Sequence, residues 1–173
     1  PFFVYNSPEE MGGVKITADI VLKLIDRLEN FAGVIDASLD WQFMIEVVST
    51  AQNKRPDFQL LTGAEYMISA GATGATGMIA PMAAVAPRAV QKLWDLCVLE
   101  KYEEARPVQE SVAALRQAVK PLGVAGLKAA ITYMQRKGGA MRAPLEAPTA
   151  AAKKKLVAAL EAIPALRDEP RGW

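Results

Sequence analysis

The sequence contains no histidine and a single cysteine, Cys97. Without histidine the chain lacks the usual general base, and Ser-His-Asp triads and most zinc sites are excluded. One cysteine cannot form an internal disulfide, and Val90, Leu93 and Trp94 at helical spacing predict that Cys97 is a buried thiol. We therefore expect a reducing, cytoplasmic location, no metal, no cofactor, and any chemistry to depend on Lys, Tyr, Ser, Thr or carboxylates.

The chain also lacks an excess of charge and a long apolar run. Its 20 basic and 19 acidic residues give a net charge of +1, so no field of one sign attracts nucleic acid or an anionic membrane. The longest apolar run, Gly77 to Pro87, is interrupted by Pro81 and is shorter than the ~18 residues of a membrane span. The 173 residues, 51% hydrophobic, predict a globular chain with one core. The sequence opens at Pro1 within an apolar, strand-like run, without a signal-peptide pattern before it, so we expect a break in a longer chain.

Short apolar segments alternate with amphipathic ones as far as Glu100. Thr17 and Asp40 are placed to cap two of the helices, and Pro87 is typical of the first turn of another. Four strand-helix units in succession predict parallel strands, because each helix returns the chain to the same end of the sheet. The expected strands are residues 2–5, 31–35, 58–61 and 77–80.

Beyond Glu100 the periodicity is purely helical. Three helices are expected, through Val108 and Val119, over residues 124–136, and through Leu156 and Ile163, with Pro107 starting or kinking the first. No linker rich in Gly and Ser separates two domains. We expect a strand-helix part over residues 1–100 and a helical extension over 101–173 that packs on it.

Several short motifs together resemble one known family, that of dihydrodipicolinate synthase and N-acetylneuraminate lyase. Any one of them is weak, but their common order and spacing span the chain from Tyr5 to about Ile163. They are Tyr5-Asn6-Ser7-Pro8, Gly33-Val34-Ile35-Asp36-Ala37-Ser38, Gly63-Ala64-Glu65, Gly71-Ala72-Thr73-Gly74, Gly77-Met78-Ile79-Ala80, Pro87, Lys128, and Arg142-Ala143-Pro144-Leu145.

The resemblance implies an α/β fold, the C-terminal half of a (β/α)₈ TIM barrel containing strands five to eight, followed by a three-helix extension. It also implies lyase chemistry of the class I aldolase type, in which a lysine amine forms a Schiff base with pyruvate or another 2-oxo acid. The position of that lysine is occupied by Ile35, and an isoleucine cannot form the imine. Tyr5 matches the proton-relay position, and Gly63, Glu65, Ile79 and Ala80 match the substrate pocket.

Other positions depart from the family pattern as well. Ala80 stands where a serine often follows the eighth-strand isoleucine, Ala84 where an asparagine is expected, and Glu65 where the seventh strand usually has aspartate. No lysine offers an obvious replacement. Lys15 lies in a loop, Lys23 on the polar side of the first helix and Lys128 in the helical extension.

Three functions remain open at this point. The first is a family chain that is inactive by itself, which could be a degenerate paralogue, a mutant, or one half of a split barrel completed by another chain. The second is a regulatory or assembly module that pairs with a homologous chain, since four strands of a barrel leave two open edges. The third is lyase chemistry without the lysine, for example a hydratase that uses Tyr5 and a water. The case for a phosphate-binding site at Gly71 to Gly77 is weak, because no Lys-Ser/Thr pair follows the glycines as it does in a P-loop.

Overall fold

The structure, a computed structural model, describes residues 1–172. Its internal contacts divide the chain into two compact units. The first consists of Pro1–Ala80 and Leu96–Tyr102, and the second of Pro81–Asp95 together with the chain from Glu103 onward. The predicted boundary at residue 100, and the packing of a helical extension on a half-barrel, stay predictions.

A parallel sheet of four strands forms the centre of the first unit. The strands are β1 (Phe2–Asn6), β2 (Phe31–Asp36), β3 (Gln59–Thr62) and β4 (Gly77–Met78), and they lie in chain order. Each neighbouring pair is parallel, as the alternation of strands and helices predicted. The ladder of β4 is shorter than the predicted 77–80, although the Ile79 amide still donates to the Thr62 carbonyl at 2.8 Å.

Three helices connect the strands, α1 (Ala18–Arg27), α2 (Trp41–Lys54) and α3 (Met67–Ala72). The hydroxyl of Thr17 accepts from the Ile20 amide at 3.4 Å, and the carboxylate of Asp40 accepts from the Phe43 amide at 3.1 Å. Both predicted N-caps are therefore confirmed. Each satisfies a backbone donor that has no acceptor within its own helix.

The core of the first unit forms around Phe31, which is fully buried. Its ring centroid lies 5.3 Å from that of Phe2 and 5.4 Å from that of Phe58. Burying an aromatic ring of this size contributes about 1.5–3 kcal/mol. The other apolar side chains that are at most 1% exposed here are Val21, Val34, Met44, Val47, Ala51, Leu60, Ala64, Met67 and Ala70.

The two faces of the sheet differ in burial. Val34 and Leu60, which are paired across β2 and β3, are buried at 0% and 1% exposure. On the opposite face Phe3 and Tyr5 are 38% and 42% exposed. One face therefore carries the core, and the other is open.

The second unit is helical. It contains α4 (Pro87–Val98) as far as Asp95, α5 (Tyr102–Val119), α6 (Gly123–Tyr133), α7 (Ala150–Glu161), and three 3₁₀ turns, η1 (Pro81–Ala84), η2 (Lys120–Leu122) and η3 (Pro164–Arg167). Helix α4 begins at Pro87, as predicted. Pro107 lies inside α5 and does not start it, because the helix begins at Tyr102 with Glu103 and Glu104 in its first turn, where acidic groups favour a helix start. The alternative, that Pro107 kinks α5, stays a prediction.

Two further expectations concern burial and length. Cys97 is 4% exposed, as predicted, and burial raises the pKa of its thiol, which makes it less reactive. Among the helices of residues 1–172, none combines the length and the apolar character that crossing a membrane requires.

Candidate functional site

Tyr5 and Ile35 lie side by side where β1 and β2 approach their carboxyl ends. The register pairs Tyr5 with Ile35, Ile35 with Leu61, and Leu61 with Gly77. Laterally paired residues of a sheet project from the same face, so these side chains form one row on the open face. The carboxyl ends of parallel strands are where α/β proteins position their catalytic groups.

The ring of Tyr5 lies against Gly63, at the end of the neighbouring strands. A β-carbon at Gly63 would come within 3.1 Å of Tyr5 Cε2 and 2.9 Å of the Ala37 β-carbon. The backbone is close as well, since the Gly63 amide donates to the Asp36 carbonyl at 2.6 Å and the Ala37 amide to the Asn6 carbonyl at 2.9 Å. Because glycine has no β-carbon, position 63 leaves room for the ring of Tyr5.

A second glycine, Gly33, shapes the same face one layer further down. A β-carbon there would lie 2.6 Å from Phe3 Cε1 and 2.2 Å from the Gln59 carbonyl oxygen. Real β-carbons do not approach backbone that closely. Gly33 thus permits the Phe3 ring to cover β2 below Ile35.

The four residues expected to line the pocket all follow a strand end, but they differ in accessibility. Gly63 and Glu65 follow β3 and are buried, Glu65 completely. Ile79 and Ala80 follow β4, with Ile79 49% exposed and Ala80 half-buried. The structure brings them to the carboxyl edge of the sheet, and their role with a substrate stays a prediction.

A buried polar network lies directly behind this row, and the sequence did not predict it. Asn6 and Asp36 are paired across β1 and β2 and are only 2% and 1% exposed. The Asn6 amide nitrogen donates to Asp36 Oδ1 at 2.6 Å, and the Ser38 hydroxyl donates to Asp36 Oδ2 at 3.0 Å. Both carboxylate oxygens of Asp36 are thus hydrogen-bonded.

Burial determines the charge preference of Asp36. It raises the pKa of this carboxyl, and the hydrogen bonds from Ser38 and Asn6 oppose the rise. A nearby like charge, Asp40, adds to the rise. Desolvation disfavours an ionised carboxylate more than these two donors favour it.

Two further hydrogen bonds connect this network to the loop between β1 and α1 and to the loop between β2 and α2. The Ile16 amide donates to Asn6 Oδ1 at 3.2 Å, which ties the loop before α1 to β1. The Asp40 amide donates to the Ser38 hydroxyl at 3.1 Å, which ties the start of α2 to β2. A cleft of about 230 Å³ opens beside these residues and is lined by Asn6, Lys15, Ile16, Thr17, Ala18, Ser38, Asp40, Gln42, Phe43 and Glu46.

The three lysines considered as replacements are engaged elsewhere. The amine of Lys15 lies 3.5 Å from Asp40 Oδ2, in the exposed loop before α1. Lys23 pairs with Asp19 at 2.6 Å on the solvent side of α1. Lys128 donates to the Ala140 carbonyl at 2.6 Å in the second unit. Within residues 1–172, no group of three or more His, Cys, Asp or Glu side chains could hold a metal ion.

Comparison with known proteins defines the class first. The solved structures of similar fold include a prophage protein of the dihydrodipicolinic acid synthase family from E. coli K12 in complex with pyruvate. That likeness has a TM-score of 0.84 at 20% identity and covers 94% of this chain and 56% of that one. A dihydrodipicolinate synthase from Thermotoga maritima gives a TM-score of 0.83 at 23% identity, covering 94% and 56%. At these identities the likeness shows the fold alone, an α/β fold with a parallel four-stranded sheet.

The sequence comparison then gives the family. Residues 1–163 match the model of the dihydrodipicolinate synthetase family, and the chain belongs to this family. An uncharacterised DapA-like lyase of Halobacterium salinarum is 29% identical over 148 residues, which are 84% of this chain and 46% of that protein. The 4-hydroxy-tetrahydrodipicolinate synthase of Lactobacillus acidophilus is 30% identical over 121 residues, 69% of this chain and 37% of that enzyme. The chain spans about half the length or less of these curated relatives.

Proposed function

We propose that this chain is a lyase by descent that does not carry out Schiff-base chemistry by itself. The observation that carries the proposal is Ile35, which stands in register with Tyr5 at the strand ends where the family resemblance implies a lysine. The chemistry needs an amine that attacks the ketone carbon and loses water to give an iminium, the electron sink for carbon–carbon bond cleavage. The hydrocarbon side chain of isoleucine has no such nucleophile.

The surroundings of Ile35 support a loss that extends beyond one side chain. Its neighbours in the row are Leu61 and Gly77, and Tyr5 is the one member with a polar group. Ala80 and Ala84 replace two polar residues of the family pattern with methyl groups. The pocket thus differs from the family pattern at several positions, because an amine and two polar groups are replaced by apolar side chains.

The names of the relatives indicate which compounds to test. One relative is a putative mitochondrial 4-hydroxy-2-oxoglutarate aldolase of Coccidioides immitis, 26% identical over 179 residues, and one similar structure holds pyruvate. The ligand class proposed for this chain is therefore a 2-oxo acid, bound without a covalent bond. Tyr5 is the group that would face its carboxylate.

Turnover is the direct test of lost activity. Cleavage of 4-hydroxy-2-oxoglutarate releases pyruvate. Lactate dehydrogenase reduces pyruvate to lactate and oxidises NADH, so the absorbance of NADH falls as pyruvate is released. We expect no rate above the protein-free blank for this chain, and none for Ile35→Lys in the same chain, because the described residues supply four of the eight strands that the resemblance implies for a complete barrel. A full-length family aldolase serves as the positive control. Pyruvate release by either form of this chain would overturn the proposal.

A second function, assembly with another half-barrel, has its own support. The sheet ends in β1 on one side and β4 on the other, both parallel edge strands. Such edges present unpaired backbone groups, and parallel sheets are normally covered on both faces. We propose that a first half-barrel or a homologous chain completes this sheet, so that the chain is part of an oligomer or a split barrel.

A further inference from the structure

The turn that enters α4 has no polar side chain of its own. Residues 81–87 read Pro-Met-Ala-Ala-Val-Ala-Pro, a run without a hydroxyl, amide or charge. Within the run, the Val85 and Ala86 amides donate to the Met82 carbonyl at 3.0 and 2.8 Å, and the remaining buried backbone groups need partners from other segments. Met82, Val85 and Ala86 are buried, so water does not readily supply them.

Glu169 supplies partners for the start of α4 from the far end of the chain. Its carboxylate accepts from the Arg88 amide at 3.0 Å and from the Ala89 amide at 2.7 Å. These amides belong to the first helical turn, where no intrahelical acceptor exists. A negative charge at a helix N-terminus is also favoured by the helix dipole. Glu169 is 5% exposed, so this cap is withdrawn from solvent.

Arg136 supplies partners for the carbonyls just before α4. Its Nη1 donates to the Ala84 carbonyl at 2.6 Å and the Val85 carbonyl at 3.2 Å, and its Nη2 donates to the Pro170 carbonyl at 2.5 Å. Burial lowers the pKa of this guanidinium, and the negative charge of Glu169 opposes that shift. One planar side chain thus joins the turn after η1 to the end of the chain.

Further contacts hold the same terminal residues. Arg88 donates to the Asp168 carbonyl at 3.0 Å, and the Gly172 amide donates to the Met134 carbonyl at 3.0 Å, at the end of α6. Arg171 stacks on the Tyr133 ring, 5.1 Å from its centroid. We call residues 168–172 the C-terminal strap.

We propose that the C-terminal strap is a conformational latch for residues 81–89, the segment that follows Ile79 and Ala80 in the chain. With the strap in place, Glu169 and Arg136 fix both the amides and the carbonyls of this segment. Without it, η1 and the first turn of α4 open locally while the other helices of the unit remain folded. Removal of the strap by proteolysis, or loss of the Glu169 charge, would then release this segment.

Hydrogen exchange followed by mass spectrometry tests the latch on the full chain. Glu169→Gln removes the charge of the cap, and Arg136→Lys keeps the charge but loses the planar fork. We expect exchange over residues 82–90 to rise about tenfold or more in each variant, because a hydrogen bond to a charged group is lost. Exchange in α5 should stay within about twofold of wild type, since the opening is local.

Glu161→Gln, an exposed acid at the end of α7, is the matched control and should leave every segment unchanged. If Arg136→Lys does not fold, Arg88→Ala replaces it, because it removes only the bond from an exposed side chain to the Asp168 carbonyl. For Arg88→Ala we expect hydrogen exchange to rise over residues 82–90 alone, and by less than the rise expected for Arg136→Lys. Unchanged exchange over residues 82–90, or an equal rise throughout α5, would overturn the latch.

Discussion

At the residue scale, the strand ends combine a row of accessible side chains with a buried polar layer behind it. Tyr5 and Ile35 form the row, and Asn6 and Asp36, the next residue in each strand, form the layer. Successive residues of a strand point to opposite faces, so one residue of each adjacent pair belongs to the accessible row and the other to the buried layer. The side chain at position 35 therefore lies outside the layer that fixes the strand ends.

The pH dependence of stability should report on Asp36. Its pKa is higher in the folded chain than the ordinary value of 3.8, so its contribution to stability is fully present at low pH and is lost as pH rises through the folded pKa. Asp36→Asn removes this titration and keeps an acceptor for the Asn6 amide. Relative to Asp36→Asn, the wild-type free energy of unfolding should fall above pH 3.8, by at most about 1.4 kcal/mol per pH unit.

Urea unfolding at a series of pH values measures this difference. Asp57→Asn, in the exposed loop before β3, is the control and should follow the wild-type curve. A wild-type chain that gains stability over Asp36→Asn as pH rises would contradict the assignment.

The sequence identified the residues of the row but not those of the layer. Ile35 and Tyr5 could be singled out because the motifs assign a chemical role to their positions. Asn6, Asp36 and Ser38 lie in the same motifs, yet their bonds join residues that are 30 positions apart or belong to a turn. Only the register of β1 against β2 brings Asn6 and Asp36 together. A polar residue directly after an apolar strand was the one available signal.

At the element scale, the sequence predicted the first residues of the helices better than the long-range hydrogen bonds between helices and strands. Thr17, Asp40 and Pro87 each mark a helix start through their own side chain. By contrast, Arg55, at the end of α2, ties the end of α1 to the start of β2 through long-range bonds. It donates to the Ile25 carbonyl at 2.8 Å and to the Phe31 carbonyl at 2.5 Å. Nothing in the periodicity of α2 reveals this role.

Arg55→Met should therefore destabilise the chain well beyond its neighbour Lys54→Met. The arginine donates to a carbonyl near the end of α1 and to one at the start of β2, and losing hydrogen bonds from a charged group costs about 1.5–3 kcal/mol. Lys54 pairs with Asp26 on the surface at 2.7 Å, an interaction of about 0–1 kcal/mol. Denaturant unfolding of both variants measures the difference. Equal losses would show that Arg55 does not connect the two elements.

At the scale of the whole molecule, the open face and the two edge strands are the main structural features without a role inside the chain. Phe3 and Tyr5 are exposed on the open face, and β1 and β4 end the sheet. The chain belongs to the family and spans about half the length of the curated relatives, and its completion by another segment is the proposal made above. The alternation of apolar and amphipathic segments predicted four parallel strands, but it carries no information on what covers this face.

Assembly through the open face predicts a specific response to a charge. Gel filtration with light scattering should give a mass above the 18.6 kDa of one chain, and Phe3→Glu should return it to that of a monomer. Ile45→Glu is the matched control, because Ile45 is 53% exposed on α2, and it should not change the mass. A monomeric wild-type chain, or equal effects of both substitutions, would count against assembly through this face.

The central claim is that the chain cannot form a Schiff base with pyruvate, and borohydride trapping tests it most directly. A protonated imine is reduced to a stable secondary amine, so each trapped pyruvate adds a fixed mass to the protein. After incubation with pyruvate and borohydride, we expect the intact mass of this chain to be unchanged, while a full-length family enzyme gains one adduct. A single adduct on this chain, at any lysine, would contradict the account.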